Sequence, residues 1–351
     1  MGVKLFIQIP CYNEEKTLPF VLNDLPGRID GIDEIYTLVI DDGSEDGTFY
    51  TARRLGVDYI VRNHRNMGLA RSFQKGLEAC LHLGADIIVN TDGDNQYCGK
   101  DILKLVRPVL ERKADVIVGC RDIDGNPEFS LLKKILQKIG SRTVRILSGF
   151  QIPDTTSGFR AISQDAAIRF AFISRFSYTI EMLIQAGSIG LKVDWTTVGT
   201  NPRLRNSRLF KSTIHFILKQ LKIMTTIFLF YRPMYFFGFI SFAFLLTSLF
   251  LGSRVVYYLW FADPALMKFK AGSGNLLFIT SVFSVLFLIA GMLGSVLSGL
   301  RFLLSDMRTR LRSYEIHQRI TPVDIDIIQA PEFFRWASQK ADMHGQREDM
   351  A

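Results

Sequence analysis

Two long apolar runs constrain the fold of this 351-residue chain more than any other feature. The first covers about residues 235–261 and carries one charge, Arg254, while the second covers about residues 276–304 and carries one charge, Arg301. An α-helix crosses the hydrocarbon core of a bilayer with about 20 apolar residues, and buried helices of soluble proteins seldom reach this length and apolarity. The sequence therefore predicts two transmembrane helices within residues 233–304, with both arginines near enough to a helix end to reach the interface.

The charges around these runs predict the orientation of the chain. Basic residues crowd ahead of the first run and at the end of the second, whereas the connecting segment 262–275 contains only Lys268 and Lys270 as charged basic residues. An excess of Lys and Arg marks the cytosolic side of a membrane, so both termini are expected in the cytosol, at the plasma membrane if the source is prokaryotic. The net charge of +8 then reflects a membrane surface rather than nucleic acid, since no basic stripe interleaved with aromatic residues occurs in the polar part of the chain.

The composition divides the chain into four predicted parts. Residues 1–200 interleave apolar and charged residues, as a cytosolic catalytic domain does. Residues 201–232 form a basic juxtamembrane segment, with an amphipathic helix in the membrane interface over residues 212–231. The two spans follow in residues 233–304, and residues 305–351 form a polar cytosolic tail.

Short β-branched strands alternate with amphipathic helical stretches in the first part. The strand patterns cover residues 5–9, 35–40, 59–61, 87–90 and 116–119. This alternation predicts a doubly wound, mostly parallel α/β sheet with helices on both faces, and such sheets bind ligands at the carboxyl ends of their strands. The four cysteines include no Cys-x-x-Cys pair and are expected to be reduced and mostly buried.

A pair of carboxylates follows one of the predicted buried strands. Asp92 and Asp94 are one residue apart directly after residues 87–90, and Gln96 occupies the next alternate position. Residues two apart in a turning loop project to one side, where two carboxylates and an amide oxygen suit a hard divalent cation that also binds phosphate. An Asp-x-Asp pair by itself is more often a solvated acidic turn, so the metal interpretation depends on the neighbouring loops.

Two more polar loops follow predicted strands and are expected at the same edge of the sheet. Residues 10–14 offer a rigid proline turn, an aromatic face and a carboxylate, and residues 41–44 place two adjacent aspartates ahead of a helix start. Carboxylates in this position accept hydrogen bonds from a base N–H or from ribose hydroxyls, although helix capping by Ser44 or Asp46 accounts for part of the pattern. Three polar loops at one edge together predict a nucleotide-diphosphate site.

Five short motifs follow one another along the chain: Pro10-Cys11-Tyr12-Asn13-Glu14, Asp41-Asp42-Gly43-Ser44, Asn66-Met67-Gly68, Asp92-Gly93-Asp94-Asn95-Gln96 and Gly119-Cys120-Arg121. In this order they resemble the family 2 glycosyltransferases of the GT-A fold, especially the branch of dolichol-phosphate mannose synthase and undecaprenyl-phosphate glucosyltransferase. The resemblance continues through residues 157–160 and the basic segment before the membrane, and it covers most of residues 4–232. Position 93 is Gly where many relatives have Ala, a departure that is expected to leave the ligands in place.

This resemblance implies roles for individual residues. The Asp-x-Asp-x-Gln loop of the family holds Mg²⁺ or Mn²⁺ against the donor's phosphates, which assigns the metal to Asp92, Asp94 and Gln96. The nucleotide-sugar is assigned to Pro10, Tyr12, Glu14, Asp41, Asp42, Gly68 and Asp92. Catalysis is assigned to Asp94, Arg121 and Arg205.

The expected acceptor follows from the chemistry that the acceptor needs. A sugar hydroxyl needs a general base, whereas a lipid phosphate is already ionised at neutral pH and needs positioning and charge neutralisation. The sequence has no clear base loop of the Glu-Asp type and no Gln-x-x-Arg-Trp motif. Glu181 lacks an adjacent Asp, so a structural or sugar-contacting role is expected for Glu181. Cationic residues are abundant instead, and either Arg203 or Arg205 corresponds to the family's phosphate-binding arginine. The lipid phosphate is assigned to Arg142, Arg160, Arg203, Arg205, Ser207 and Arg208.

The predicted reaction is inverting transfer of a monosaccharide by a metal-dependent hexosyltransferase, from a UDP- or GDP-sugar to undecaprenyl or dolichyl phosphate. Glucose, mannose and N-acetylhexosamine remain open as the sugar, and UDP is favoured over GDP. Two alternatives are a membrane glycosyltransferase that acts on a sugar hydroxyl of a glycolipid or polysaccharide, and a non-catalytic nucleotide-sugar-binding membrane scaffold. Gly291, Ser295 and Gly299 recur at four-residue spacing in the second apolar run, which predicts helix packing either within the chain or in a homo-oligomer.

Overall fold

The computed structural model describes residues 2–122, 144–145, 148–172, 178–202, 225–226, 229, 231–261, 271–318 and 327–329. The chain divides into two compact units, one formed by Met1–Lys211 together with Met307–Ala351 and the other by Ser212–Asp306. The predicted interfacial helix over residues 212–231 lies almost wholly outside the described residues.

Eight strands of the described residues form one mixed sheet in the first unit. They are β1 (Lys4–Cys11), β2 (Glu34–Asp41), β3 (Tyr59–Arg62), β4 (Ile87–Asn90), β5 (Val116–Arg121), β6 (Arg160–Ser163), β7 (Val193–Val198) and β8 (Ile327–Gln329). Their order is β7-β5-β6-β4-β1-β2-β3-β8; β4, β1, β2 and β3 are parallel to one another, and β5 is parallel to β7. β6 runs antiparallel between β4 and β5, and β8 runs antiparallel to β3. The predicted α/β sheet with mostly parallel strands is confirmed, and the two antiparallel strands are additions to it.

Helices cover the sheet on both faces. Those described in the first unit are α1 (Leu18–Asp24), α2 (Thr48–Arg54), α3 (Leu69–His82), α4 (Ile102–Leu110), α5 (Gln164–Arg169) and α6 (Tyr178–Ser188). The sequence pattern predicts this first helix over residues 15–25, whereas α1 begins three residues later, at Leu18. Asn13 has a φ of 56°, and the chain first turns through hydrogen bonds from Thr17 N and Leu18 N to Glu14 O.

The apolar core consists of one layer on each face of the sheet. Alternate residues of β1 point to opposite faces, so Leu5, Ile7 and Ile9 join one buried cluster and Phe6 joins the other. Burying each of these side chains contributes roughly 1.5–3 kcal/mol, and the two layers together fix the strand ends that carry the polar loops. The four cysteines are free and three of them are buried, as expected. α3 contributes its buried stripe at helical spacing: Ala70, Phe73, Leu77 and Cys80.

Residues beyond the second apolar run return to the α/β unit. Strand β8 extends the sheet next to β3, and Ile316 and Ile327 pack against the core. Arg312 donates to the Phe170 main-chain oxygen at 2.7 Å and pairs with Glu78 of α3. The sequence predicts only a polar tail here, because a three-residue strand is too short to show a period-two pattern.

The second unit contains α7 (Pro233–Phe261) and most of α8 (Ala271–His317). Both helices are long and apolar enough to cross a membrane, judged by length and composition, over Pro233–Tyr257 and Gly274–Ile316. The second candidate span is longer than predicted, because α8 continues without a break past residue 304.

Hydroxyl groups and a glycine bring the two apolar helices together within the second unit. Ser241 Oγ donates to Ser284 O at 2.8 Å, and Ser284 Oγ donates back to Ser241 O at 3.1 Å. Each hydroxyl thus donates to a main-chain oxygen of the other helix, which satisfies its donor in an apolar medium. A Cβ added at Gly291 would lie 3.2 Å from Phe237 Cβ, whereas one at Gly299 would meet no atom within 4 Å in the described chain. The predicted small-residue face therefore packs within the chain at Gly291.

Candidate active site

The loops after β1 and β2 are joined by hydrogen bonds at the carboxyl edge of the sheet. Asn13 N donates to Ser44 Oγ at 3.0 Å, and Glu14 N donates to Thr48 Oγ1 at 2.8 Å at the start of α2. Asn13 adopts a left-handed conformation, which Asn tolerates better than most residues. The resulting turn leaves Tyr12 exposed and buries Glu14.

Asp42 is buried and fully engaged in holding the loop before α3. Its Oδ1 accepts hydrogen bonds from Asn63 Nδ2 and Met67 N, both at 2.8 Å, and its Oδ2 accepts from Gly68 N at 2.9 Å. Asp42 thus fixes the main chain at Gly68, and both of its carboxylate oxygens accept hydrogen bonds from within the chain.

Asp41, by contrast, retains a buried oxygen without a hydrogen-bond donor. Its Oδ1 accepts from Ser44 N at 2.9 Å, while Oδ2 lies 3.4 Å from Arg62 Nε and has no hydrogen-bond partner among the described residues. Arg62 itself lies over the Phe49 ring, 4.5 Å from its centroid. A buried carboxylate oxygen without a donor is costly, so this position favours a ligand that brings an N–H or O–H group.

Residues 92–96, which we call the metal loop, follow β4 and carry the predicted ligands. Burial and the neighbouring Asp94 carboxylate raise the pKa of Asp92 to about 7. Asp94 Oδ1 accepts a hydrogen bond from Gln96 N at 3.1 Å, and Asn95 has a φ of 60°. Gln96 Oε1 accepts from Arg121 NH1 at 3.0 Å, so the amide oxygen predicted as a metal ligand is bonded to a cationic side chain.

Gly158 makes room for the carboxylate of Asp92. A Cβ at this position would lie 3.0 Å from Asp92 Oδ1 and 2.9 Å from Tyr178 Oη. Asn90 Nδ2 donates to Gly158 O and to Tyr178 Oη, both at 2.9 Å, and Gly158 N donates to Tyr97 Oη at 3.1 Å. This buried network fixes the floor of the metal loop.

Arg121 links the metal loop to the loop before β6. Besides its bond to Gln96, its Nε donates to Asp154 Oδ2 at 2.7 Å and its NH2 to Thr156 Oγ1 at 3.3 Å. Burial alone would raise the pKa of Asp154, but the Arg121 guanidinium and the hydrogen bonds from Thr156 outweigh it, so this pKa lies below its ordinary value. The ion pair is therefore charged at neutral pH and holds the guanidinium beside the metal loop.

The two carboxylates fit a divalent cation that takes its other ligands from a substrate. Within the described residues, no group of three or more His, Cys, Asp or Glu side chains is arranged to hold a metal ion. Mg²⁺ in nucleotide enzymes is usually bound by one or two carboxylates together with phosphate oxygens and water. Asp92 and Asp94 match that donor set, and their mutual repulsion is the kind that a cation relieves.

The sequence assigns Arg160 to the lipid phosphate, whereas the structure places its guanidinium in the interior of the protein. Arg160 is fully buried, and its guanidinium donates to the main-chain oxygens of Ser157, Thr179 and Thr155 at 2.9, 2.8 and 3.0 Å. It fastens the loop before β6 to α6 and presents no nitrogen to the surface. The remaining predicted lipid-phosphate residues lie outside the described residues: Arg142, Arg203, Arg205, Ser207 and Arg208.

The structure adds three residues that the sequence does not single out. Asp154 holds Arg121, and Asn90 with Tyr178 supports the floor of the metal loop. A signal exists for Asp154, because it opens the polar loop that leads directly into the motif at residues 157–160. Asn90 and Tyr178 carry no such signal, since their partners are distant in the chain.

A mixed α/β sheet with an Asp-x-Asp loop at its carboxyl edge defines a GT-A-like glycosyltransferase fold. Glucosyl-3-phosphoglycerate synthase from Mycobacterium tuberculosis has this fold. Its complex with phosphoglyceric acid gives a TM-score of 0.51 at 20% identity, over 65% of this chain and 79% of that chain. Its complex with Mn²⁺, uridine diphosphate and phosphoglyceric acid gives a TM-score of 0.50 at 19% identity, over 64% of this chain and 78% of that chain.

The chain belongs to glycosyl transferase family 2, which it matches over residues 6–170. It is 30% identical over 181 residues to UDP-N-acetylglucosamine–dolichyl-phosphate N-acetylglucosaminyltransferase of Methanococcus voltae, which is 46% of this chain and 70% of that protein. It is 29% identical over 196 residues to undecaprenyl-phosphate mannosyltransferase of Micrococcus luteus, 53% of this chain and 78% of that protein. The chain is therefore a glycosyltransferase, and its relatives include enzymes named for sugar transfer to polyprenyl phosphates.

Proposed function

We propose that this enzyme transfers a monosaccharide from a nucleotide-sugar to a polyprenyl phosphate at the cytosolic face of a membrane. The observation that carries the proposal is the Asp92–Asp94 carboxylate pair at the donor edge of the sheet, in a chain with two helices able to cross a bilayer. The relatives named for dolichyl and undecaprenyl phosphate support the same class of acceptor.

The donor nucleotide is assigned to the loops after β1 and β2. Asp41 Oδ2 supplies a buried acceptor for a nucleobase N–H or a ribose hydroxyl, and the exposed ring of Tyr12 supplies an apolar face. Pro10 and Glu14 shape the same turn, and Gly68 is held by Asp42 at its border. UDP remains the favoured nucleotide, since the Methanococcus voltae relative is named for a UDP donor.

The phosphates of the donor are assigned to the metal loop and Arg121. Asp92 and Asp94 would hold Mg²⁺ or Mn²⁺, which neutralises the phosphates of the leaving nucleoside diphosphate when bound. Arg121 keeps a fixed positive charge beside the same loop, because its ion pair with Asp154 orients the guanidinium before any ligand binds.

The acceptor is a phosphate oxygen that is already ionised. Its bond to the anomeric carbon forms as the bond between that carbon and the nucleoside diphosphate breaks, with inversion and without proton abstraction. Glu181 is 3% exposed, and its Oε1 accepts from Gln185 Nε2 at 3.3 Å, which suits a structural role. The lipid phosphate is assigned, from the sequence, to Arg142, Arg203, Arg205, Ser207 and Arg208, with Arg205 at the reacting phosphate.

The membrane orientation draws support from the tail of the chain. β8 and Arg312 join the same unit as the catalytic sheet, so the tail and the catalytic domain lie on one side of a bilayer. The excess of basic residues on that side favours the cytosol.

The test uses the full chain, purified in detergent, with nucleotide-sugars and polyprenyl phosphates in all combinations. UDP-glucose, UDP-N-acetylglucosamine and GDP-mannose are each offered with undecaprenyl and dolichyl phosphate, and products are identified by mass. We expect a lipid-phosphate monosaccharide that is lost with EDTA and in Asp94→Asn. Asp165→Asn, an exposed carboxylate on α5, is the matched control and is expected to retain activity.

Two results would overturn the proposal. Transfer only to a sugar hydroxyl of a glycolipid or polysaccharide would make this a different membrane glycosyltransferase. Binding of nucleotide-sugar without transfer or hydrolysis, under every combination, would make it a scaffold. Unchanged transfer by Asp94→Asn in EDTA would refute the metal role alone.

A further inference from the structure

We propose that Thr17 and Asn201 are positioning residues that hold the metal loop in its binding conformation from two opposite ends. This inference rests on the proposed function in one respect, namely that residues 92–96 hold a divalent cation. Neither residue stands out in the sequence, and neither contacts the loop through a charged group.

Thr17 holds the beginning of the metal loop. Its Oγ1 lies 2.8 Å from Gly93 O and 2.7 Å from Glu14 Oε2, and the residue is 4% exposed. The hydroxyl has one hydrogen, so it donates to one of these oxygens at a time and ties the loop to the first motif. A Cβ added at Gly93 would lie 2.9 Å from Cys11 Sγ, which shows how closely the loop and the first motif are packed.

Asn201 holds the end of the metal loop. Its main-chain N donates to Gln96 O at 2.9 Å. Its Nδ2 donates to Tyr97 O at 3.1 Å, to Asp24 Oδ2 at 3.3 Å and to Asn95 Oδ1 of the metal loop at 3.5 Å, and these side-chain bonds are the ones that Asn201→Ala removes. Tyr97 and Thr200 form an antiparallel bridge next to these bonds. The segment that follows β7 therefore runs against the last residues of the loop and fixes their main chain.

Between the two attachments lie Asp94 and Asn95. Asn95 has a φ of 60°, and Asp94 Oδ1 receives the Gln96 N–H, so the loop turns sharply between fixed ends. Without the attachments the Asp94 carboxylate must be ordered by the cation itself, and that ordering lowers affinity. The geometry thus assigns to Thr17 and Asn201 the ordering of the metal loop before a cation binds, through contacts with its main chain and with Asn95 rather than with the two carboxylates.

The test measures Mn²⁺ binding directly, on full-length protein in detergent, by the electron paramagnetic resonance signal of free Mn²⁺. Titrations are run with Mn²⁺ alone and with Mn²⁺ plus saturating UDP or GDP. Thr17→Val is isosteric but has no hydroxyl, and Thr17→Ser restores the hydroxyl. Thr51→Val is the matched control, because Thr51 is also 4% exposed and lies in α2, outside the metal loop and outside the residues that hydrogen-bond to it.

We expect Thr17→Val and Asn201→Ala each to raise the Kd for Mn²⁺ about three- to tenfold, the effect of one hydrogen bond. Thr17→Ser and Thr51→Val should bind Mn²⁺ as the unaltered chain does. Thermal unfolding in EDTA confirms that each variant is folded. If Thr17→Val fails to fold, the Kd of Asn201→Ala for Mn²⁺ tests the proposal by itself.

Equal affinity for Mn²⁺ in Thr17→Val, Asn201→Ala and the unaltered chain would overturn the positioning role, provided that Asp94→Ala abolishes binding. Equal binding by Asp94→Ala would instead overturn the metal site itself. No binding by the unaltered chain in any titration would overturn both. The two kinds of failure are therefore distinguishable without measuring transfer.

Discussion

Replacement of Asp92 by Asn is expected to stabilise the metal-free protein in a strongly pH-dependent way. Burial and Asp94 together raise the pKa of Asp92 from 3.8 to about 7, so the fold favours the neutral carboxyl. The favourable contribution of this group is present below about pH 4 and is lost as the pH rises through about 7. The amide of Asn does not titrate, and Asp92→Asn should escape that loss.

The magnitude follows from the pKa values. One pKa unit corresponds to about 1.4 kcal/mol, so the change from 3.8 to about 7 gives an upper limit of about 4 kcal/mol at pH 8. Asp92 is partly exposed, and solvent screening reduces this to roughly 2 kcal/mol. For a domain of about 200 residues, that corresponds to a rise in Tm of about 4–8 °C.

The assay is thermal unfolding in detergent with EDTA, followed by intrinsic fluorescence between pH 4.5 and pH 8. The Tm difference between Asp92→Asn and the unaltered protein should be smallest at the acidic end, grow up to about pH 7 and then level off toward pH 8. Asp94→Asn should weaken the pH dependence without abolishing it, because Asp94 is the second cause after burial. Saturating Mn²⁺ should raise the Tm of the unaltered protein much more than that of Asp92→Asn.

A Tm difference that is constant across the pH range would refute this reasoning. It would mean that the effect of the substitution comes from packing or hydrogen bonding rather than from ionisation of Asp92. A Tm difference of opposite sign at pH 8 would show that Asp92 is stabilised as an anion, which would contradict the raised pKa.

Three further predictions follow from the same geometry. Asp154→Asn should lower stability by about 3 kcal/mol at pH 7.5 in denaturant unfolding, because Arg121 keeps a buried charge without its partner; an unchanged midpoint would contradict the ion pair. Gly93→Ala should lower the free energy of unfolding by about 1–3 kcal/mol in the same assay, because the added Cβ crowds the Cys11 thiol. Adding Cys11→Ala should recover most of that loss, and strictly additive effects of the two substitutions would exclude the contact. A cysteine introduced in residues 262–270 should react with an impermeant maleimide in intact cells, whereas one in β8 should react only after lysis; the reverse pattern would invert the orientation.

The central parallel strands β1 and β4 are predictable from sequence because their residues are buried on both faces of the sheet. Residues 87–90 form β4 as predicted. A short run of apolar residues bounded by polar ones is typical of a strand that is buried on both faces of a sheet. β6 lacks that signal, because Arg160 opens it and only Ala161 and Ile162 are apolar. The antiparallel pairing of β6 with β4 and β5 requires the chain to reverse its direction within the sheet, and the local sequence pattern does not encode that reversal.

The candidate site is predictable from the sequence where its chemistry depends on residues that are close together in the chain. The spacing and charge of Asp92 and Asp94, together with the neighbouring polar loops, predict a cation site. The sequence does not show that Arg160 is buried, because an arginine that donates to three main-chain oxygens cannot be distinguished by sequence from one that faces a phosphate. Likewise, the engagement of Asp42 with Gly68 depends on how the second and third motifs meet in space.

The position of the tail limits how the chain can cross a membrane. One compact unit contains both Met1–Lys211 and Met307–Ala351, and the pairing of β8 with β3 builds residues of the tail into the catalytic sheet. A chain that leaves this unit and returns to it on the same side must cross a bilayer an even number of times. The two apolar helices satisfy that condition as a pair of spans, whereas a single span would separate β8 from its sheet. The hydrogen bonds of the tail therefore support a two-span hairpin independently of the distribution of basic residues.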